Sequence, residues 1–431
     1  MACGLSEFMN ALDPIFARDK LIAAEADRMD ASVIAWRRDL HAHPELGNRE
    51  FRTAKIVADH LRRIGIDEIR EQVAYTGVVG VLTGKRPGPC IALRADMDGL
   101  PVAEETDVPF KSMVKAEWNG VACGVMHACG HDTHVAILMG VAEILAGMRE
   151  HITGTVKFIF QPAEEMPPIG EEGGAKLMIE QGALDHPKVN AIIGLHITSK
   201  LHAGQIGYRP GPFMASADQF RIFIRGNQTH GAQPWSGVDP IVVGSQVVLG
   251  LQTIVSRKMN LTQEPSVVTV GSFQAGNRSN IIPDEAKMEG TIRAFDEGHR
   301  DDIHAFVEKI TTMIAEAGGA KAHVHIQRGY PVTVNDEALT NWSVPVMKRA
   351  VGEANVNLCP KTCGAEDFSF FQQKVPGFFF NIGCTPHDKD CKYAPSNHSP
   401  RFYVDESGLK TGVKALTRLA LDWLDTNAST T

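Results

Sequence analysis

Val156-Lys157-Phe158-Ile159-Phe160-Gln161-Pro162-Ala163-Glu164-Glu165 is a largely apolar run that breaks at a proline and ends in two acids. The run from Val156 to Phe160 is too short for a helix and predicts a buried strand. Gly77–Leu82, Ile91–Arg94 and Ala191–Leu195 read the same way, each bounded by Gly, Pro or charge. Thr133–Met148, rich in Ala, Ile, Leu and Met, predicts a helix between them. Helical spacing also runs from Ala31 to Ile64, interrupted by His43-Pro44-Glu45-Leu46-Gly47. Strands alternating with helices predict an α/β fold, a mostly parallel sheet with helices on both faces.

Polar residues cluster where these strands end. Asp96 and Asp98 follow Ile91–Arg94, Glu164 and Glu165 follow Val156–Phe160, and His196 follows Ile192-Ile193-Gly194-Leu195. Open α/β sheets bind ligands outside the carboxyl ends of their strands, so three such ends point to one shared site.

A second pattern starts near Gly211-Pro212-Phe213. Ala217–Arg225, Ser266–Phe273, Lys287–Phe295 and Lys321–Gln327 read as strands, Asp239–Ser256 and His299–Ala317 as helices. The order β-α-β-β-α-β predicts a ferredoxin-like unit over 216–328, inserted into a larger domain formed by 1–215 and 329–431. Helices over Leu339–Ala354 and Asp405–Leu424 and a strand over Gly377–Ile382 complete that domain.

The 431 residues suffice for two domains, and 43% hydrophobic with 22% charged residues is ordinary for a globular protein. A formal charge of −8 disfavours nucleic acid or an anionic membrane as partner. No apolar run is long enough to span a bilayer, and Met1–Glu7 lacks the basic and apolar regions of a leader. The expected location is the cytoplasm, or the periplasm if a leader has been removed. Eight cysteines are few for this length; reduced thiols are expected, although Cys384 and Cys391 lie close enough in sequence to pair.

The run Met126-His127-Ala128-Cys129-Gly130-His131-Asp132-Thr133-His134 holds three histidines and a cysteine. That density favours a metal site over a buried structural cysteine beside a satisfied histidine, with Cys129 and His131 as ligands and His127 and His134 further out. Consecutive side chains diverge, so Glu165 is expected to bind metal and Glu164 to act as general base on the attacking water. His196 alone is ordinary, but its place at a strand end matches the other sites. His398, in Ser396-Asn397-His398-Ser399-Pro400, is too remote in sequence to place. Asp98 could orient the site or simply belong to the turn before Gly99 and Pro101. His230, Asn280 and Arg293 are donor types that hold a carboxylate or a developing oxyanion.

These residues resemble metallo-aminoacylases of the hippurate hydrolase and indole-acetyl-amino-acid hydrolase branch. The landmarks are Arg37 to Leu46, Leu93 to Pro101, His127 to His134, Gln161 to Glu165, Gly194-Leu195-His196, Asn280-Ile281-Ile282-Pro283, Gly364 to Phe368 and His398-Ser399-Pro400. The resemblance implies a di-zinc exopeptidase-like fold whose inserted unit serves as lid and dimerisation domain. It implies two divalent ions per subunit, zinc first and manganese second. Cys129, His131, Glu165, His196 and His398 would be their ligands, with Cys129 bridging. Glu164 would be the base and Asp98 its support. His230, Asn280 and Arg293 would contact substrate, and a homodimer or higher homo-oligomer is implied.

Three departures stand out. Gln228-Thr229 and Pro234-Trp235 flank His230 where relatives carry Gly-Gly and Pro-His. Met166–Glu172 separates Glu165 from Gly173-Gly174. Pro386–Tyr393 lengthens the approach to His398. The added Met166, Pro167, Pro168, Ile169 and Trp235 favour an aromatic or bulky hydrophobic N-acyl-L-amino acid as the small-molecule partner. The alternatives are a carboxypeptidase or dipeptidase with the same machinery, and a non-catalytic binding protein, against which the complete ligand set argues.

Overall fold

The computed structural model describes residues 3–428, with side chains from residue 17. The start of the leader reading, Met1-Ala2, and the end of the polar tail lie outside the described residues. The chain divides into two compact units. One takes the residues up to Gly211 with Asn335–Cys359 and Phe370 onward; the other takes Pro212–Val334 with Pro360–Ser369.

The first unit is built on an eight-stranded sheet. Its order is Glu68–Val73, Gly77–Thr83, Thr153–Gln161, Arg86–Asp96, Ala191–His202, Gly377–Thr385, Ile206–Tyr208 and Val356–Leu358. The four central strands, from Thr153–Gln161 to Gly377–Thr385, run parallel. Antiparallel pairs lie towards the edges. The parallel strands are buried almost end to end, as strands covered on both faces must be. Phe158, Phe160, Leu93, Ile193, Leu195, Phe378 and Phe380 face the long helices Cys3–Ala42, His131–Gly147 and Leu409–Asn427 in one core. Across the sheet, the buried Lys157 stem ends in hydrogen bonds from Nζ to the Asp185 and Pro187 carbonyls, at 2.6 and 2.9 Å. Cys384 and Cys391 are both free thiols. No helix among the described residues is long and apolar enough to cross a membrane.

The second unit is a four-stranded antiparallel sheet, in the order Ser266–Ala275, Glu285–Ala294, Asp218–Arg225 and Lys321–Arg328. Helices Pro240–Thr253 and Glu297–Ala317 pack on it around Phe220, Ile222, Val247, Met288 and Val307. Pro360–Ser369, which the sequence pattern leaves with the larger domain, joins this unit. Its backbone explains why: the Ala215 amide donates to the Thr362 and Gly364 carbonyls, at 3.1 and 3.0 Å, and Lys361 pairs with Glu264.

Candidate metal centre

Cys129 and His131 sit where a loop enters the His131–Gly147 helix, separated by Gly130 at φ +93°. Only glycine fits: a Cβ there would lie 2.3 Å from Ile197 Cγ2. The helix start is held from below. Buried Asp132 accepts from Arg37 Nε at 2.8 Å and meets His41 Nδ1 at 2.8 Å, so the Arg37–His41 segment anchors the loop that carries both candidate ligands.

The sheet supplies the other groups. Pairing between Arg86–Asp96 and Ala191–His202 stops at Arg94↔Gly194. His196 is therefore not a residue after a strand, as its sequence setting implies. It lies within a strand that continues beside Gly377–Thr385, just past its last pair with Arg86–Asp96. The Ile197 amide freed by that ending donates to His134 Nε2 at 2.8 Å. Nε2 is thus the acceptor, and His134 Nδ1 carries the proton that it gives to Asp96 Oδ1 at 2.5 Å. His134 is buried and spent on this structural link, rather than lying on a helix surface.

The tautomers of two other histidines follow from the same logic. His196 Nδ1 donates to the Ile197 carbonyl at 2.6 Å, leaving the Nε2 lone pair 3.3 Å from Cys129 Sγ. His131 Nδ1 faces Asp98 Oδ1 at 3.1 Å, and its buried Nε2 has no hydrogen-bond partner among the described residues. An imidazole oriented by a carboxylate or carbonyl on one nitrogen, with the other left bare, is the usual posture of a metal ligand. Asp98 Oδ2 also accepts from the Glu165 amide at 2.9 Å, so one carboxylate fixes two candidate ligands.

His398 arrives from the far end of the chain. Its amide donates to the Ala128 carbonyl at 2.8 Å, and the neighbouring Asn397 donates to the Cys129 and Ile197 carbonyls at 2.9 and 3.0 Å. His398 Nε2 lies 3.2 Å from Cys129 Sγ and 2.8 Å from Glu165 Oε1. Of five groups suited to an ion among the described residues, two contain Cys129: Cys129 with His131 and His196, and Cys129 with Glu165 and His398. They share the sulfur. Glu164 Oε2 stands 3.9 Å from His131 Nε2, beside both.

The electrostatics call for positive charge. Asp96, Asp98 and Glu164 are buried, and Glu165 nearly so; Arg94 pairs with Asp96 at 2.7 Å. Burial opposes charging of His131, yet the charge of Asp96, with Asp98, raises it to about 10. Burial, with Glu165 and Glu164 beside it, pushes the Cys129 thiol well above its ordinary range, so a thiolate here needs cations as neighbours. Burial and the nearby His134 hold His196 well below its usual value, the neutral form a metal takes. The donor set therefore fits a pair of divalent ions.

In the second unit, His230 and Asn280 adjoin: the Gly231 amide donates to the Asn280 carbonyl at 2.9 Å. His230 Nδ1 accepts from the Ala232 amide at 3.0 Å, so a neutral ring presents Nε2–H as an exposed donor. Arg293 is not with them. It lies at the other end of the Glu285–Ala294 strand, about 26 Å along it at the usual rise per residue.

Sequence reasoning passed over Asn397, whose clue was only its place beside His398. It also left Arg94 and Gln161 without a task; Arg94 Nε donates to Gln161 Oε1 at 2.8 Å, fixing the two strand ends together.

A family model for "Peptidase family M20/M25/M40" matches residues 92–422. Thermostable carboxypeptidase 2 of Saccharolobus solfataricus is 42% identical over 391 residues, covering 90% of this chain and 94% of its own. An N-acyl-L-amino acid amidohydrolase of Geobacillus stearothermophilus is 42% identical over 309 residues, covering 72% of this chain and 79% of its own. Among solved structures, the YXEP protein of Bacillus subtilis, a dinuclear metal-binding peptidase, superposes with a TM-score of 0.77 at 35% identity, covering 93% of this chain and 99% of that one. With the sheet, the convergent donors and these likenesses in hand, the chain belongs to peptidase family M20/M25/M40 and is a hydrolase of that family.

Proposed function

We propose that the protein hydrolyses N-acyl-L-amino acids, releasing a carboxylic acid and a free amino acid, with two divalent ions held by Cys129, His131, Glu165, His196 and His398. The observation that carries this reading is the pair of ligand groups sharing Cys129 Sγ beside an acid, Glu164, that belongs to neither. When bound, the ions supply Lewis acidity that makes water a nucleophile at neutral pH and polarises the scissile carbonyl. Zinc is the first choice because of the thiolate, manganese the second. Glu164 takes the proton of the attacking water on its carboxylate and returns it to the amide nitrogen as the C–N bond breaks. Asp98 keeps the His131 ring and the Glu165 backbone in register for that exchange.

We assign the substrate's carboxylate and the developing oxyanion to His230, Asn280 and Arg293. One amino-acid carboxylate cannot reach both ends of the Glu285–Ala294 strand, so the three act together only across two copies of the chain. The inserted unit offers a suitable face: an open edge strand, Ser266–Ala275, and a helix, Pro240–Thr253, that has no charged side chain and exposes Ile241, Val242 and Leu249. Sedimentation is expected to give a homodimer; the mass of a single chain at micromolar concentration would remove this arrangement.

Substrate size is read from the segment after the acids. Met166 is 47% exposed and Ile169 85%, and in the inserted unit Trp235 is 79% exposed. Apolar side chains left in water at these positions favour a bulky acyl or side-chain group. A panel of benzoyl, decanoyl and acetyl amino acids is expected to show kcat/KM at least ~10-fold higher for the larger groups, about the discrimination a few buried carbons provide. A preference for acetyl sinks the size assignment. The 42% identity with a carboxypeptidase sustains a second reading, cleavage of peptides next to a free carboxylate. Dipeptides with free amines in the same panel separate the two.

A further inference from the structure

Glu50 is a fully buried carboxyl group that the catalytic reading does not use. It occupies the N-cap position of the Phe51–Arg63 helix, where an acid ordinarily accepts from the first turn. It makes no such bond. Glu45 does that work instead, accepting from the Arg52 and Thr53 amides at 2.9 and 2.8 Å. The Glu50 side chain turns away and accepts from the Ala163 amide at 2.8 Å, with Thr76 Oγ1 donating to its other oxygen at 2.6 Å.

Ala163 is the residue before Glu164, and its backbone is left-handed at φ +52°; Met166, just after Glu165, is left-handed at +78°. Two non-glycine residues in this region bracket the acid pair, a conformation that persists only when its surroundings enforce it. The loop that carries Glu50 supplies that enforcement. Gly47 packs so closely that a Cβ would lie 3.2 Å from Ala163 Cα and 3.3 Å from the Met166 carbonyl. Asn48 Nδ2 donates to the Glu172 carbonyl at 2.9 Å. The same loop reaches the Asp98 side, where the Gly99 amide donates to the Glu45 carbonyl at 2.7 Å. His43 to Glu50 is thus a cradle under both catalytic turns. Burial, with the charge of Asp98, pushes Glu50 up to about 8.

We propose that Glu50 is a positioning residue for the general base: its carboxyl group holds the Ala163 turn that aims Glu164 at the reacting atoms. The inference rests on the reading of Glu164 as base, and the experiment separates the two. Zinc-loaded full-length protein is assayed on an N-benzoyl-L-amino acid for kcat and KM, with metal content and thermal midpoint measured alongside. Glu50→Ala is expected to lower kcat about 10- to 100-fold with KM within about twofold and bound metal unchanged, the scale of a misplaced catalytic group. Glu50→Gln keeps an oxygen for the Ala163 amide and is expected to recover to within about threefold of wild type. Should Glu50→Ala lose its metal or its fold, Glu50→Asp decides, because it is one methylene too short to reach Ala163; a roughly 10-fold fall in kcat is expected. An unchanged kcat in Glu50→Ala or Glu50→Asp, while Glu164→Gln is inactive, overturns the positioning role and leaves the base in place. Full activity in Glu164→Gln overturns both.

Discussion

Glu164→Gln is expected to lower kcat by about 10³- to 10⁴-fold, some 4 to 5.5 kcal/mol of barrier, while two metal ions per chain remain bound. The size follows from the double duty proposed for the group, which would accept a proton from water and later donate it to nitrogen. An amide of the same shape does neither. The unchanged metal content follows from geometry. Glu165 Oε1 lies 2.8 Å from His398 Nε2 and belongs to a group around Cys129, whereas Glu164 stands 3.9 Å from the nearest bare imidazole nitrogen. His131, Glu164 and Glu165 also converge closely enough to hold an ion, so the roles of the two acids need the paired variant. Glu165→Gln is expected to lose metal and activity together. If instead Glu164→Gln loses metal and Glu165→Gln keeps it, the two assignments are exchanged.

Much of the site was readable because the fold writes it at strand ends. A short apolar run followed by Asp96 and Asp98, or by Glu164 and Glu165, shows both the strand and its mouth. Cys129 and His131 announced themselves by density. What pattern could not supply is anything that depends on partners remote in the chain. His196 looked like a residue after a strand because periodicity cannot see that pairing with one neighbouring strand stops two residues earlier while pairing with the other continues. His134 looked peripheral because its task, catching the Ile197 amide and Asp96 at once, joins three segments. Glu50 carried no signal in the sequence, because its partner, Ala163, lies 113 residues away. His230, Asn280 and Arg293 were grouped by donor type, which carries no distance; the strand between them does.

Cys129→Ala is expected to be the most damaging single change at the candidate metal centre. The sulfur is the one atom common to both ligand groups, 3.3 Å from His196 Nε2 and 3.2 Å from His398 Nε2. A four-ligand zinc site holds its ion by roughly 10 to 16 kcal/mol, so one ligand accounts for about 2.5 to 4 kcal/mol, or ~10²- to 10³-fold in affinity. In the proposed arrangement the sulfur would serve two ions, so its loss would weaken both and also remove a negative charge between them. At micromolar metal the variant is expected to retain fewer than one ion per chain and to fall below ~10⁻³ of wild-type activity. Its thermal midpoint should drop towards that of chelator-treated wild type, since bound metal stabilises the folded state by mass action. The two proteins should then respond differently to added zinc, the wild type recovering and the variant not. Metal analysis showing two ions per chain in Cys129→Ala would mean that His131 with His196, and Glu165 with His398, hold their ions independently, and the shared-sulfur arrangement would have to be given up.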